Sequence, residues 1–410
     1  MKGGFLLYNT NMMDKKKIIH LNIEYSLVSA LFWITYCPVT AFTSVFLLDK
    51  GLSNTIIGFL IAGANILAAL AQPALGSIVD RNKKMTAGKM TVILAACTDA
   101  ASLFLCCLTR VSFLFFIFMI LSYTSIICIQ PFMNSLAFDY EKNGYKINFG
   151  IGRGIGSVSY AITSMVLGWL VKKYSPSLLP LTVLIMSSLM IVSVLIFSNK
   201  GMEKKESDDW INADSLLQFI AGHKKFIILQ VGVILIFFCH SLINVYLLQI
   251  EQSVGGNASD MGTAFSVAAL TEVPVMFLFV KLKARIRCER LLMISCILFS
   301  LKHFLMIISG SIIMILCVQA MECVTFAIYT PASVYYTQEL IETRNISKGQ
   351  AINIFAKTSG AILAAFFGGI LIDTVGIRKM LIIGFIFSLI GSVIVACSIE
   401  SIKKEAGARM

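Results

Sequence analysis

A glutamate within an apolar stretch is the first residue of this sequence that could do chemistry. Glu322 is accompanied by Gln319, Phe326 and Tyr329, at steps of three, four and three residues. This spacing puts the four side chains on one helical face, which we expect to line a central cavity. Burial favours a protonated acid, and a nearby cation favours the carboxylate. A base that moves relative to Glu322 would therefore make it take up or release a proton.

Other ionisable residues also stand within apolar stretches, where a charge costs about 2.5–3.5 kcal/mol or more. They are Arg153, Glu272, Lys302, His303 and Lys357, with Asp99 as a weaker member of the set. Such residues are candidates for a functional site by default. Glu322 could instead be a static partner of Lys302 or Lys357, and the sequence leaves both interpretations open.

Arg153 and Tyr160 could together hold a polar solute. They lie seven residues apart, which places a guanidinium group and an aromatic ring on one helical face. A guanidinium forms paired hydrogen bonds to hydroxyl groups, and the ring packs on the apolar face of a sugar. The alternative is that Arg153, close to the start of its stretch, extends to the membrane surface. A further polar face consists of Gln350, Asn353 and Lys357.

The elements that position these residues must be membrane helices. The chain has 410 residues, 57% hydrophobic and 14% charged, with a mean hydropathy of +0.84, whereas soluble domains have about 25% charged residues. Its apolar runs are long enough to cross a bilayer. Because they lack the alternation of barrel strands, they predict an all-α membrane protein. The twelve predicted spans are 21–47, 54–78, 90–109, 112–138, 149–171, 178–198, 226–250, 262–281, 290–309, 312–337, 349–372 and 377–398.

The lysines and arginines predict the orientation of the chain. Most of the 34 fall in the termini, the even-numbered loops and the segment 199–225, which places this side in the cytoplasm. Basic loops facing anionic lipid headgroups also explain the net charge of +12 without nucleic acid. The predicted domains are a cytoplasmic tail (1–20), a six-helix bundle (21–198), a cytoplasmic linker (199–225), a second six-helix bundle (226–398) and a cytoplasmic tail (399–410).

Prolines and glycines recur at an offset of about 200 residues. Pro73 matches Pro274, Pro131 matches Pro331, and Gly168 matches Gly368. Proline kinks a membrane helix, and glycine lets helices approach closely. The recurrence predicts duplication of a six-helix unit, with the two bundles related by a pseudo-two-fold axis along the membrane normal.

The segment between spans 2 and 3 carries a loop signature. Residues 76–84 read Gly-Ser-Ile-Val-Asp-Arg-Asn-Lys-Lys and resemble the GxxxD(R/K)xx(R/K)(R/K) signature of the major facilitator superfamily. Gly76, Asp80 and Arg81 are therefore expected to be residues of a conformational loop, with Gly76 allowing close helix packing and Asp80 capping or pairing at a helix end. Residues 329–336 look like the lactose-permease-like branch, which includes oligosaccharide–proton and phenylpropionate–proton symporters.

The lactose-permease-like resemblance implies roles for several residues by position. The proton-carrying glutamate of that pattern falls on Glu322 and an arginine falls on Lys302, where lysine keeps the charge but not the bidentate geometry. A histidine of the pattern falls on Gln319, which does not titrate. Lys357 matches a charge-paired lysine whose usual acids in span 7 are absent, so its expected partner is Glu272 or Glu322.

The same resemblance describes a substrate site. Its substrate arginine falls on Arg153, its stacking tryptophan on Tyr160, and its second substrate carboxylate on Glu272. A glutamate of helix 4 falls on Asn134, so the usual arginine–carboxylate pair is broken. The predicted substrate-binding residues are Arg153, Asn134, Tyr160, Glu272, Gln319 and Lys357, and the predicted proton-coupling residues are Glu322 and Lys302.

The sequence therefore predicts a secondary active transporter of the cytoplasmic (inner) membrane, with both termini cytoplasmic. It would move a small polar solute, a sugar or oligosaccharide, in symport with protons by alternating access. The alternatives are a proton-coupled efflux antiporter for amphipathic compounds and a non-transporting membrane receptor. No ATP-binding loop or hydrolase motif occurs in the sequence, so no enzymatic activity is expected. The expected partners are the solute, protons and the lipid bilayer, with no cofactor, metal or nucleic acid, and a monomer is expected.

Overall fold

The structure of the protein is a computed structural model. It describes residues 2–82, 85–108, 110–141, 147–198, 215–342 and 345–401, with residues 2–16, 138–139 and 141 described by their backbone alone. Across these ranges α-helices alternate with short turns and 3-10 helices, and no strand occurs. Two compact units are present: unit 1 comprises residues 1–51 and 63–207, and unit 2 comprises residues 52–62 and 208–410.

The helices from the first half of the chain are α1 (Lys2–Thr40), α2 (Thr43–Asp49), α3 (Asn54–Arg81), α4 (Ala87–Cys107), α5 (Phe113–Glu141), α6 (Phe149–Lys173) and α7 (Leu179–Ser198). A 3-10 helix at Pro176–Leu178 precedes α7. The first residues of α3 belong to unit 2, and the remainder of α3 belongs to unit 1.

The helices from the second half are α8 (Leu216–Gly222), α9 (Lys224–Val245), α10 (Leu247–Ser253), α11 (Ala258–Arg285), α12 (Cys288–Ile308), α13 (Ile312–Ala320), α14 (Phe326–Leu340), α15 (Ile346–Val375) and α16 (Ile377–Ser398). A 3-10 helix at Met321–Cys323 separates α13 from α14. Between α15 and α16, Gly376 has φ of 84°, a left-handed conformation that glycine adopts without steric cost.

Twelve helical segments of the described chain are long and apolar enough to cross a membrane, from Lys17–Asp49 to Ile377–Ser398. This confirms the predicted all-α membrane fold with twelve spans. The helix ends differ from the predicted ones by a few residues: α3, for example, continues to Arg81 rather than ending at residue 78. A backbone hydrogen-bonded within its own helix can extend past the apolar core into the headgroup region without cost.

Part of the predicted linker is helical. Residues 199–214 lie outside the described residues, but α8 begins after Ser215, whose side chain and that of Gln218 form a capping box. Phe219 of α8 is fully buried and joins the core of unit 2. The predicted linker 199–225 therefore contains a short helix. The capping box stabilises the start of this helix, and the buried Phe219 side chain attaches it to unit 2.

The repeated prolines all lie inside helices. Pro73 is within α3, Pro131 within α5, Pro274 within α11 and Pro331 within α14. Gly168 and Gly368 are both buried, and a Cβ at Gly368 would lie 2.4 Å from the ring of Tyr246. Each unit thus has two helices with an internal proline and a buried glycine at matching chain positions.

Candidate functional site

The helix that carries Glu322 is interrupted at that residue. After α13 ends at Ala320, the Met321 carbonyl accepts hydrogen bonds from the Val324 and Thr325 amides at 3.0 Å and from the Thr325 hydroxyl at 2.9 Å. These bonds tighten the chain into a 3-10 turn before α14 begins. The predicted continuous helical face through this residue was therefore wrong. Interrupted membrane helices are common at the substrate and ion sites of transporters.

Glu322 forms a buried ion pair with Lys302 of α12. The Lys302 Nζ atom lies 2.5 Å from Glu322 Oε1, and the two residues are 0% and 3% exposed. The Thr325 hydroxyl also lies 2.9 Å from Glu322 Oε2, so its single proton is shared between this carboxylate oxygen and the Met321 carbonyl. Each carboxylate oxygen therefore has a donor, and the ammonium charge offsets the carboxylate charge, as a charge pair away from water requires.

A histidine of α9 lies beside the same carboxylate. His240 Nδ1 is 3.6 Å from Glu322 Oε1, which is too long for a hydrogen bond. Its Nε2 atom lies 3.0 Å from Asn244 Nδ2, and its ring stacks on Phe326 with 5.7 Å between centroids. With the Asn244 amide as donor, Nε2 is the acceptor and the proton of the neutral ring is on Nδ1, facing Glu322. The site thus brings together the Glu322 carboxylate, the Lys302 ammonium group and the His240 imidazole.

A chain of hydroxyl groups lies behind the ion pair. His303 Nδ1 is 2.7 Å from Ser388 Oγ, and Ser300 Oγ is 3.1 Å from Ser388 Oγ and 2.8 Å from Ser392 Oγ. The Ser392 hydroxyl donates to the Cys296 carbonyl at 2.7 Å. This network binds α12 to α16 and fixes the backbone from which Lys302 extends.

Gln319 is a buried amide with unused hydrogen-bonding groups. The residue is 0% exposed, and neither its amide nitrogen nor its amide oxygen has a hydrogen-bond partner within the described residues. A buried polar group without a partner costs about 1–3 kcal/mol. A bound solute that supplies one donor and one acceptor would recover that free energy.

In unit 1, the structure places Arg153 of α6 on an aromatic ring. The guanidinium carbon lies 4.2 Å from the centroid of Trp33 in α1, and Arg153 NH1 donates to Ser157 Oγ at 2.6 Å. Tyr160 meets the same indole edge-on, with 6.1 Å between centroids and an interplanar angle of 85°. Arg153 is half-buried and lies against a ring of its own unit, which is a different position from the surface-directed alternative.

The sequence analysis did not identify Trp33. Trp33 is separated from Arg153 by more than 100 residues, so no local spacing connects them; the only signal was its rarity, since the chain has three tryptophans. Asn134 of α5 is half-buried, and its role in substrate binding stays a prediction.

The expected ion pair of Lys357 is not found. Lys357 of α15 is half-buried, as is Glu272 of α11, and Lys357 pairs with neither Glu272 nor Glu322. Lys357 does not pair with Glu322 because Lys302 and Thr325 already occupy the two oxygens of that carboxylate.

The polar face of α15 makes contacts within unit 2. The Tyr329 hydroxyl donates to Asn353 Oδ1 at 3.2 Å, and Gln350 Nε2 donates to the Val334 carbonyl at 2.9 Å. Both bonds join α15 to α14, the second part of the interrupted span. The predicted face therefore positions the helix that follows Glu322.

The residues predicted to form a conformational loop lie in a helix. Gly76, Asp80 and Arg81 all belong to α3, and Lys83 and Lys84 lie outside the described residues. Outside its own helix, no atom of the described residues lies within 4 Å of the position that a Cβ would take at Gly76. The role of Gly76, Asp80 and Arg81 in a conformational change stays a prediction.

The Glu322 carboxylate has two ionisable neighbours. The Lys302 ammonium group lies at 2.5 Å and the His240 imidazole at 3.6 Å. Within the described part of the chain, no group of three or more His, Cys, Asp and Glu side chains could hold a metal ion.

A sequence model of the MFS_1 like family matches residues 23–383. No curated protein sequence matches the chain significantly. Solved structures with the same fold include the nucleoside transporter NupG, with 14% identity and a TM-score of 0.75 over 92% of this chain and 98% of that one. A bacterial homologue of the human lysosomal transporter Spinster, in an inward-facing and unoccupied conformation, has 13% identity and a TM-score of 0.68 over 93% and 96%.

A transporter of the POT family, in complex with a thioalcohol-conjugated peptide, has 13% identity and a TM-score of 0.71 over 91% of this chain and 94% of that one. At these identities the likeness concerns the fold alone. The family match covers most of the chain, including every residue predicted from the sequence to belong to the site.

Proposed function

The chain belongs to the MFS_1 like family, and from that premise we propose that it moves a small polar solute, a sugar or an oligosaccharide, in symport with protons by alternating access. Family membership makes it a multi-pass membrane transporter of the major facilitator type. The substrate class, the coupling proton and the location in the cytoplasmic membrane with both termini inside form the proposal. The lactose-permease-like branch also stays a prediction.

The observation that carries the proposal is the ion pair between Glu322 and Lys302 at the interrupted helix. A charge pair buried in a membrane span gains little stability over an apolar pair of the same size. Its presence is therefore better explained by a function that needs a charge which can be switched.

The switch consists of one proton. If Glu322 takes up a proton, its attraction for Lys302 is lost and a buried ammonium group is left without a counter-charge. Lys302 must then find water or another acceptor, which requires movement of α12 relative to the turn at Met321–Cys323. His240, 3.6 Å from the carboxylate, is placed to pass the proton. Proton binding and helix position are coupled in this way.

The solute would be held by groups that match hydroxyls. Arg153 packs its guanidinium face on Trp33 and donates from NH1 to Ser157, and a guanidinium carries five N–H donors in one plane. In unit 2, the amide of Gln319 can both donate and accept. Tyr160 and Asn134 of unit 1, and Glu272 and Lys357 of unit 2, stay predicted substrate-binding residues, each a half-buried polar residue of its own unit.

The experiment is proton movement in lightly buffered, de-energised cells that express the protein. Sugars, nucleosides, peptides and aromatic acids are added in turn, and external pH is followed. We expect alkalinisation with a sugar and none with the Glu322→Gln variant. The matched control is Glu339→Gln, the same change at an exposed carboxylate of α14 that pairs with Lys283 at 2.8 Å; it should behave as the unmodified protein.

Each other outcome has a definite meaning. Alkalinisation that survives in Glu322→Gln would keep symport and reject Glu322 as the proton carrier. Alkalinisation with another solute class would replace sugar by that class. No response to any solute, together with resistance of the cells to amphipathic dyes, would favour the efflux antiporter. No flux of any kind, with Glu322→Gln silent, would favour a receptor.

A second arm tests the solute site in unit 1. Arg153→Lys keeps the charge but loses the planar fork and its packing on Trp33. We expect the apparent affinity for the solute to fall about tenfold to hundredfold, which corresponds to about 1.4–2.8 kcal/mol, while the proton-to-solute ratio is unchanged. A changed ratio with unchanged affinity would place Arg153 in proton coupling instead.

A further inference from the structure

The short helix α10 follows α9 at the end of that helix opposite the linker 199–225. It begins directly after Tyr246, which is fully buried and whose hydroxyl donates to the Ala365 carbonyl at 2.8 Å. Two polar residues of α10, Gln249 and Glu251, are buried as well. Neither belongs to a membrane span, since the flanking spans end at Val245 and begin at Ala258.

Glu251 is a buried acid without a hydrogen-bond donor. The residue is 0% exposed, and neither carboxyl oxygen has a partner within the described residues. The chain folds tightly over it, since a Cβ at Gly256 would lie 2.9 Å from Glu251 Oε2. Burial, and then the neighbouring charge of Asp260, raise the pKa of Glu251 to about 7.

Gln249, the other buried polar residue of α10, is part of a chain of hydrogen bonds to α3 and α15. Gln249 Nε2 donates to Asn54 Oδ1 at 2.9 Å, and Asn54 Nδ2 donates to Asp373 Oδ1 at 2.8 Å. The Thr55 amide and hydroxyl both donate to Asp373 Oδ2, at 2.8 and 2.7 Å. A carboxylate at the first turn of a helix also gains from the helix dipole. Asp373 and Gln249 thus hold the start of α3.

The backbones of α3 and α15 approach closely at this point. A Cβ at Gly58 would lie 2.2 Å from the Ala365 carbonyl oxygen, and one at Gly369 would lie 2.0 Å from the Asn54 carbonyl oxygen. Residues 52–62 of α3 therefore count as part of unit 2, although the rest of the helix belongs to unit 1.

We propose that Glu251 is a proton-binding site of its own, and that its protonated form keeps α10 in the position from which Gln249 holds the start of α3. If Glu251 loses its proton, a carboxylate without donors stands next to a second carboxylate. The segment must then move to bring Glu251 to water. Gln249, two residues earlier on a helix of two turns, moves with it, and the hydrogen bond to Asn54 is broken.

Few charged groups lie on the elements around α10. It packs on α9, α11 and α16, and Gln249 connects it through Asn54 of α3 to Asp373 of α15. The charge that acts on Glu251 is that of Asp260 in α11.

The remaining ionisable groups are engaged elsewhere or lie at helix ends. Asp373 accepts hydrogen bonds from Asn54 and Thr55. His240 of α9 lies beside Glu322, and Arg378 and Lys379 are in the first turn of α16. Asp260 is therefore the neighbour to change.

The test is hydrogen–deuterium exchange of the full-length protein in lipid nanodiscs at about pH 5.5 and about pH 8.5, with labelling times scaled to the intrinsic exchange rate. We expect amides of α10 and of the first turn of α3 to exchange about tenfold faster at the higher pH, as a local opening would produce. In Glu251→Gln, the protection of α10 and of the first turn of α3 should be the same at the two pH values. Glu339→Gln should retain the behaviour of the unmodified protein.

Two further variants keep the proposal open to refutation if Glu251→Gln fails to fold. Asp260→Asn retains an oxygen for the Asn257 amide and removes one charge, so the transition should persist with its midpoint at a lower pH. Gln249→Leu should expose the first turn of α3 at both pH values, while α10 still responds to pH. Protection that is independent of pH in the unmodified protein, or a response in Glu251→Gln equal to that of the unmodified protein, would overturn the proposal. None of these results depends on Glu322 or on the transported solute.

Discussion

Glu251 and Glu322 are two of the buried glutamates of unit 2, and the surroundings of their carboxyl groups differ. Glu322, 3% exposed, has an ammonium group at 2.5 Å and a hydroxyl donor at 2.9 Å. Glu251, 0% exposed, has no donor and stands near the charge of Asp260. Burial is almost the same at the two sites, so burial alone does not separate them. The nearest charge does, because a cation stabilises the carboxylate and an anion stabilises the neutral acid.

This difference distinguishes two kinds of proposed proton site. In the proposed mechanism, a proton that binds Glu322 must displace Lys302, which couples its binding to a movement of α12. A proton that binds Glu251, as we propose, has no cation to displace. Four predictions test this difference.

The largest effect is expected from Lys302→Met. It leaves Glu322 buried beside no cation, which costs about 3–5 kcal/mol in the free energy of unfolding. Combining it with Glu322→Gln removes the stranded charge and should recover most of the loss, although proton coupling stays absent. Thermal unfolding in detergent measures both. If Lys302→Met alone were as stable as the unmodified protein, the burial of the Glu322 carboxylate would not require the Lys302 charge.

The next effect is the pH dependence of stability that Glu251 contributes. Folding raises the pKa of this acid from 4.5 to about 7, so its contribution is complete below pH 4.5 and is lost as the pH rises through about 7. At 1.36 kcal/mol for each pKa unit, the loss is at most about 3 kcal/mol. The melting temperature of the unmodified protein should fall between about pH 5 and pH 8 more than that of Glu251→Gln. If the melting temperatures of the two proteins changed equally with pH, Glu251 would not be the acid responsible.

A smaller effect is expected from Thr325→Val, which removes the second donor to Glu322. A hydrogen bond to a charged group contributes about 1.5 kcal/mol or somewhat more, and the loss should appear as a lower melting temperature. Thr263→Val is the matched control, since the Thr263 hydroxyl donates to the Ser259 carbonyl of its own helix. Equal losses in the two variants would show that the carboxylate gains nothing from Thr325.

The smallest effect on stability is expected from Gln319→Leu. The amide of Gln319 has no partner in the described residues, so its replacement should be neutral or stabilising by up to about 1 kcal/mol. Solute uptake should nevertheless fall, because the donor and acceptor assigned to the solute are gone. A loss of stability above that size, with uptake intact, would give Gln319 a structural role.

The helical fold could be predicted from the sequence because a membrane span is a local property. Its signal is the apolar content of some 20 consecutive residues, and the bilayer demands that each span satisfy its own backbone. Twelve spans were predicted, and twelve segments of the described chain meet the criteria. The division into six-helix bundles at 21–198 and 226–398 stays a prediction.

The site could be predicted only in part. Glu322 and Lys302 stood out because a charge in hydrocarbon is costly and therefore rare, and the structure places them in contact. The interruption of span 10 could not be predicted, since it depends on Thr325 turning back to the Met321 carbonyl. Threonine makes this bond in some helices and not in others.

The amino-acid sequence was sufficient to identify the membrane-spanning segments and the charged residues within them. The partners of these charges became visible only in the three-dimensional structure. Arg153 packs on Trp33, Lys302 forms an ion pair with Glu322, and the Glu251 carboxyl group has no hydrogen-bond donor within the described residues. The physical reason is range. Hydrophobic transfer depends on neighbours along the chain, whereas the state of a buried charge depends on atoms within a few ångströms in space, supplied by helices far apart in sequence.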